Sequence, residues 1–117
     1  MFCIEGENLA SHLLSLAPKR AGLAKAVAAY GFGVTIEEVC SAKRGQSQSA
    51  RARQVAMYLS HIVLGMTSCE IAFAFMRQRA TVYHALRLVE DLRDDPRFDR
   101  RLHLLETTLR SAAGGPA

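Results

Sequence analysis

The sequence is short of the features that mark a secreted scaffold, a metal centre or a membrane span. Its cysteines, Cys3, Cys40 and Cys69, are odd in number, far apart and without a C-x-x-C or neighbouring histidine partner. That spacing excludes a disulfide framework and a zinc-ligand set, and each cysteine reads as a small apolar residue in a reducing compartment. No apolar run approaches the ~20 residues that a membrane span needs. The opening MFCIEGEN carries acids where a secretory leader carries lysines, so the expected location is the cytoplasm, with no membrane partner. There is no internal repeat and no low-complexity tract, and the few β-branched residues sit inside longer 3.6-residue patterns, which leaves no strand and an all-α class. No G-x-x-x-x-G-K-[ST] loop occurs, and no histidine has a serine, cysteine or acid at a helpful spacing. An enzyme, a cofactor, a bound metal and a small-molecule substrate are therefore not expected.

What is present is an uneven distribution of charge. The 117-residue chain, long enough for one domain with a modest core, has a formal net charge of +4. Between Ser41 and Arg87 the basic residues are Lys43, Arg44, Arg51, Arg53, Arg77, Arg79 and Arg87, and the only acid is Glu70, so this stretch alone carries more positive charge than the whole chain. A clustered basic surface flanked by near-neutral and acidic parts suits an anionic polymer.

The apolar pattern predicts a bundle of about five to seven helices. A short amphipathic stretch from about Asn8 to Ala17, with Leu9, Leu13, Leu14 and Leu16, is closed by Pro18, and a second helix from Lys19 to Tyr30 places Leu23, Ala26, Val27 and Tyr30 on one face before Gly31 and Gly33 end it. Thr35 and Glu38 form a T-x-x-E capping box on a helix that ends near Cys40. SAKRGQSQS then reads as a surface loop, and Ser49 caps a long helix in which Val55, Leu59, Ile62 and Val63 share a face and which Gly65 stops. Thr67 and Glu70 make a second capping box, opening a helix with Ile71, Ala72, Phe73 and Phe75 inward. Only Met76 to Gln78 separate it from the next, whose stripe is Val82, Ala85, Leu86, Val89 and Leu92. Two short-coupled helices of this kind are a helix-turn-helix. A last helix, Arg97 to Ser111, carries Phe98, Leu102, Leu105 and Leu109. The expected organisation is an N-terminal extension over residues 1–18, a helix-turn-helix domain over 19–112 and a flexible tail over 113–117.

The major groove of B-DNA admits one α-helix, and helix-turn-helix proteins set the start of the second helix against base edges. Here that start is Arg77, Gln78, Arg79, Ala80 and Thr81. Arginine forks onto guanine, glutamine onto adenine, and threonine or alanine meets the thymine methyl. The capped helix start at Thr67 and Ser68 offers backbone N–H groups to a phosphate. Arg51, Arg53 and Gln54 are placed to hold the strand, and Lys43 and Arg44, on the loop, to reach a neighbouring minor groove. His84 and Arg87 flank the core stripe as further phosphate contacts. Asp91, Asp94, Asp95 and Asp99 alternate with Arg93, Arg97, Arg100 and Arg101 and read as an ion-paired solvated face rather than a metal site. Phe73, Phe75 and Met76 read as core rather than as wedges between bases.

From about Ala26 to Leu109 the chain resembles the C-terminal DNA-binding domain of the bacterial replication initiator DnaA: RARQVAMYL, EIAFAF and TVYHALRLVEDL stand in the family's order and at nearly its spacing. The resemblance implies a Trp-repressor-like helix-turn-helix with one extra helix, bound to double-stranded DNA. It extends to short single-domain relatives of DnaA in alphaproteobacteria that lack the ATPase. The family's G-R-D-H-T-T or G-R-D-R-T-T before T-V is here Met76, Arg77, Gln78, Arg79, Ala80 and Thr81. Arg77, Arg79 and Thr81 match, whereas the glycine, the aspartate and the first threonine are lost; Gly45 and Ser47 stand where the basic loop usually has arginines. The expected function is occupancy of DnaA-box-like sites that modulates initiation. The alternatives are a transcriptional regulator with its own operator, and an interaction module that has lost base reading and binds DnaA or a second copy through the leucine-rich N-terminal stretch.

Overall fold

The computed structural model describes residues 4–41 and 47–114, with side chains from residue 16 onward. Six helices account for nearly all of the described residues: α1 (Ile4–Phe32), α2 (Ile36–Cys40), α3 (Ser47–Ile62), α4 (Ser68–Phe75), α5 (Arg79–Leu92) and α6 (Pro96–Ala112). Among the described residues there is no strand, and no helix is long and apolar enough to cross a membrane.

The expected break at Pro18 is absent, because α1 is one helix that runs through it. An interior proline removes one backbone hydrogen bond and costs about 3 kcal/mol, so tertiary packing must offset it. The residues on either side do this: Ala17 and Ala21 are buried, and Ala24, Ala28 and Phe32 continue the same stripe at helical spacing. Of the expected face only Val27 joins this buried side; Ala26 is half-buried and Leu23 and Tyr30 are exposed. Alanines give α1 a smooth surface on which α2, α3, α4 and α6 all pack, and large side chains at these positions would hold them apart. Gly31 lies inside α1 rather than ending it, where a Cβ would come 2.7 Å from Leu105 Cδ2. The left-handed residue after the helix is Gly33, at φ +68.

Both capping boxes form, with Thr35 and Glu38 on α2 and Thr67 and Glu70 on α4. Ser49 is not the cap of α3, which is already helical at Ser47, and it is buried within the first described turns. Val55 and Leu59 lie in the core as expected, whereas Ile62, in the last turn of α3, is exposed. Gly65 has φ +67 and lets the chain turn back so that the Met66 N–H donates to Ser60 O at 3.1 Å.

The turn between α4 and α5 is the predicted three residues. Met76 takes the left-handed conformation, φ 55, and the Arg77 N–H closes onto Ala72 O at 3.0 Å. The turn aims α5 across α4 and α3, where Val82, Ala85 and Val89 join Ile71 and Phe75 in the core. Each such large side chain contributes about 1.5 to 3 kcal/mol through burial. Phe73 and Met76 are exposed instead. The eight-residue α4 offers one narrow inward stripe, filled by Ile71, Ala74 and Phe75, and the left-handed bend turns Met76 outward. On α6, Leu102, Leu105 and Leu109 are buried and Phe98 packs at the edge, as the pattern predicts.

Candidate nucleic-acid interface

The first turn of α5 stands clear of the core. Gln78 occupies its N-cap without a capping side-chain hydrogen bond, and Gln78, Arg79, Ala80 and Thr81 are all exposed. Arg79 Nη2 reaches the Tyr83 hydroxyl at 3.5 Å, and the same hydroxyl accepts from Ser68 Oγ at 3.1 Å. The contact with Arg79, aided by Ser68, lowers the Tyr83 pKa, and the partnership raises that of Arg79. Tyr83 ties the start of α4 to the start of α5 and steadies the one arginine of the set that projects freely. The one sequence signal for Tyr83 is its i,i+4 spacing from Arg79, which marks the two as neighbours on one helix face.

Arg77 is placed differently from its neighbours. Its Nη1 donates to Phe75 O at 3.3 Å and to Met76 O at 3.4 Å, and its Nη2 to Ser41 O at 2.9 Å. The guanidinium is thus turned back onto the scaffold, and its position ties the helix-turn-helix bend to the end of α2. Arg53 does the same from α3, through Nε to Val39 O at 2.9 Å and Nη2 to Ser41 O at 2.7 Å. Burial first, and the like charge of Arg77 second, lower the Arg53 pKa. Neither placement is readable from spacing, because Ser41 is brought to both arginines only by the fold.

Thr67 and Ser68 lie at the exposed start of α4. The capping box uses the N–H groups of Thr67 and Glu70, at 2.8 and 3.1 Å, and brings a carboxylate to the same end. The N–H groups of Ser68 and Cys69 lie outside it. Gln54 and Arg51 are half-buried on α3. His84 and Arg87 line an open groove of about 610 Å³ between α3 and α5, with Tyr58, His61, Ile62, Tyr83, Leu86 and Glu90. Lys43 and Arg44 lie outside the described residues.

The acidic and basic run near the C-terminus is a real ion-pair network in one part only. Arg93 pairs with Asp99 at 2.6 Å and with Glu106 at 2.7 Å, whereas Arg101 turns away to donate to Gly31 O at 2.7 Å.

Residues 22–89 match the family described as bacterial DnaA protein helix-turn-helix. The chain belongs to the DnaA helix-turn-helix family. Among DnaA initiators it is 38% identical over 77 residues to that of Aquifex aeolicus and 36% identical over 81 residues to that of Ralstonia nicotianae. These alignments cover 64% and 68% of this chain but only 19% and 15% of the relatives, so it spans less than a fifth of their length. A crystal structure of a DNA replication initiation factor superposes over 92% of this chain and 32% of that one, with a TM-score of 0.75 at 28% identity. A DnaA structure bound to AMPPCP and single-stranded DNA superposes over 77% of this chain and 28% of its own, with a TM-score of 0.65 at 31% identity. The similarity to DnaA thus falls on the helix-turn-helix, and the family match includes every described residue of the candidate interface.

Proposed function

We propose that this protein binds double-stranded DNA by seating the start of α5 in the major groove, and that it modulates replication initiation at DnaA-box-like sites. In this reading Gln78, Arg79, Ala80 and Thr81 meet base edges. Arg51, Gln54, Thr67, Ser68, His84 and Arg87 meet the backbone, and Lys43 and Arg44 reach the minor groove. Arg53 and Arg77 position the elements that do so. The observation that carries the reading is the exposed α5 start, with Arg79 held by Tyr83 and Ser68 directly after a three-residue turn. Membership of the DnaA helix-turn-helix family and the basic character of residues 41–87 support it. The protein then works in the cytoplasm, on the nucleoid.

With roughly four to six phosphates neutralised, log affinity for duplex falls with log salt at a slope of about −4 to −5. Arg79→Ala weakens the preferred site roughly tenfold to a hundredfold and relaxes its specificity, and Tyr83→Phe does so less. A flat salt response in the intact protein sinks the proposal. Genome-wide occupancy that follows DnaA boxes supports the replication role, and occupancy confined to one promoter supports an operator of its own.

One observation favours a second reading, an interaction surface on α1. Leu16, Leu23 and Tyr30 recur every seven residues and are 38%, 40% and 87% exposed, an apolar line suited to a helix of DnaA or of a second copy. Leu9 and Leu13, the other residues of that expectation, have side chains outside the described set. Polar substitutions at Leu16 and Leu23 that leave duplex affinity intact but abolish self-association or DnaA capture separate this role from DNA binding.

A further inference from the structure

A cavity of about 240 Å³ opens beside the first described turns of α3, lined by Phe32, Ser47, Gln48, Arg51 and Arg101. No acidic side chain is among these residues. Arg51 carries Nη1 to a position shielded from solvent and without a hydrogen-bond partner, and among the described residues no other buried side-chain nitrogen or oxygen is left so. A buried donor without a partner is destabilising, more so when it is charged, and a shift of the guanidinium toward an oxyanion in the cavity removes that penalty. Arg101, from α6, stands at the same cavity in a fixed pose. Its guanidinium lies 4.5 Å from the centre of the Phe32 ring, and one Nη2 hydrogen is held by Gly31 O at 2.7 Å.

We propose that this cavity grips one backbone phosphate of the duplex engaged by α5, between Arg51 and Arg101. The proposal rests on the DNA-binding reading above. Two guanidinium forks without an opposing carboxylate match a phosphate's oxygens, and guanidinium is more readily desolvated than ammonium. Position argues for a phosphate of the same duplex. Arg53, two residues on from Arg51, shares the Ser41 carbonyl with Arg77 in the turn before α5. The start of α3, which carries Arg51, is therefore held beside the reading turn. The Phe32 ring, against the Arg101 guanidinium, holds the charge at the rim, where it does not reach base edges. The contact adds affinity and footprint without adding sequence preference.

The test uses the whole protein and Arg51→Gln and Arg101→Gln, which keep polar side chains of similar reach and remove the charge. On a long duplex each variant lowers the salt slope by about one relative to the parent and preserves the ranking of sequences. Trimming the duplex flanks stepwise abolishes the difference between variant and parent at one length. Slopes equal to the parent's, while Arg79→Ala still weakens binding, overturn the phosphate site and leave the DNA reading standing. A parent that binds no duplex overturns both. Inorganic phosphate supplies the other source: millimolar titration that raises the melting temperature of the parent and not of the Arg51 variant, with duplex slopes unchanged, assigns the cavity to a free anion and overturns the duplex assignment. Arg51→Met covers the chance that Arg101→Gln unfolds. It removes the buried unpartnered donor, so it melts no lower than the parent while losing the same unit of slope.

Discussion

The guanidinium groups of Arg53 and Arg77 converge on one acceptor, the carbonyl oxygen of Ser41, at 2.7 and 2.9 Å. Two cations share a single dipole, and the α3 side chain and the helix-turn-helix bend are thereby pinned to the end of α2. Each arginine is recruited for its fork geometry rather than for its charge alone, since Arg53 spans Val39 O and Ser41 O together.

Arg53→Ala consequently acts on stability before it acts on DNA. Losing hydrogen bonds from a charged donor costs about 1.5 to 3 kcal/mol, and chemical denaturation shows the midpoint falling with no change in slope. Arg53→Lys recovers little, because an ammonium does not bridge both carbonyls. A variant that keeps the parent's stability and only loses duplex affinity contradicts this placement.

The Arg93 cluster gives a second stability prediction. Arg93 bonds Asp99, Glu106 and the Tyr58 hydroxyl, and Glu106 is 5% exposed. Arg93→Met strands the buried carboxylate and costs about 3 to 5 kcal/mol, whereas Arg93→Met combined with Glu106→Leu regains most of it. Equal destabilisation by the single and double variants rules out the stranded charge as the cause.

Tyr58 carries a pH signature. Burial, with the hydrogen bond to Glu90, raises its pKa above the ordinary 10.0 despite the opposing pull of Arg93. The folded chain thus keeps the phenol proton at a pH where the unfolded chain has lost it. The stability Tyr58 contributes is whole below about pH 10 and is lost as pH rises past that value. Tyr58→Phe flattens the alkaline limb of a stability-against-pH curve; an unchanged limb contradicts the assignment.

Met76 stands in a left-handed conformation, φ 55, and is 86% exposed. A side chain there costs about 1 to 2 kcal/mol, and little packing is lost by removing it. Met76→Gly raises the melting temperature by a few degrees, while Met76→Val lowers it. Thermal denaturation of the pair decides the matter, and a fall on going to glycine refutes the strain.

The two capping boxes, the three-residue turn and the apolar stripes of α5 and α6 were legible from neighbouring residues, because each depends on contacts within one or two turns of chain. So were the exposed Gln78, Arg79, Ala80 and Thr81, which follow from where a helix begins. On the inward face of α1 the pattern finds Val27 but not the alanines: leucines outweigh alanines in any hydropathy pattern, yet close packing against four neighbours selects the small side chains. Phe73 and Ile62 were misplaced for a related reason, since a short or ending helix has fewer inward positions than apolar residues.

By itself, then, the sequence determined the helices, their caps, the family blocks and the placement of positive charge, all set by local periodicity and composition. Which arginines project and which are consumed was decided only by tertiary structure. Arg79 and Arg77 lie two residues apart, but α2 brings a carbonyl to one and leaves the other to Tyr83, and α6 brings Arg101 to Arg51 from fifty residues away. A guanidinium's role depends on which acceptors the fold delivers to it, and where these come from another helix, as Ser41 O does for Arg77, no spacing along the chain encodes them.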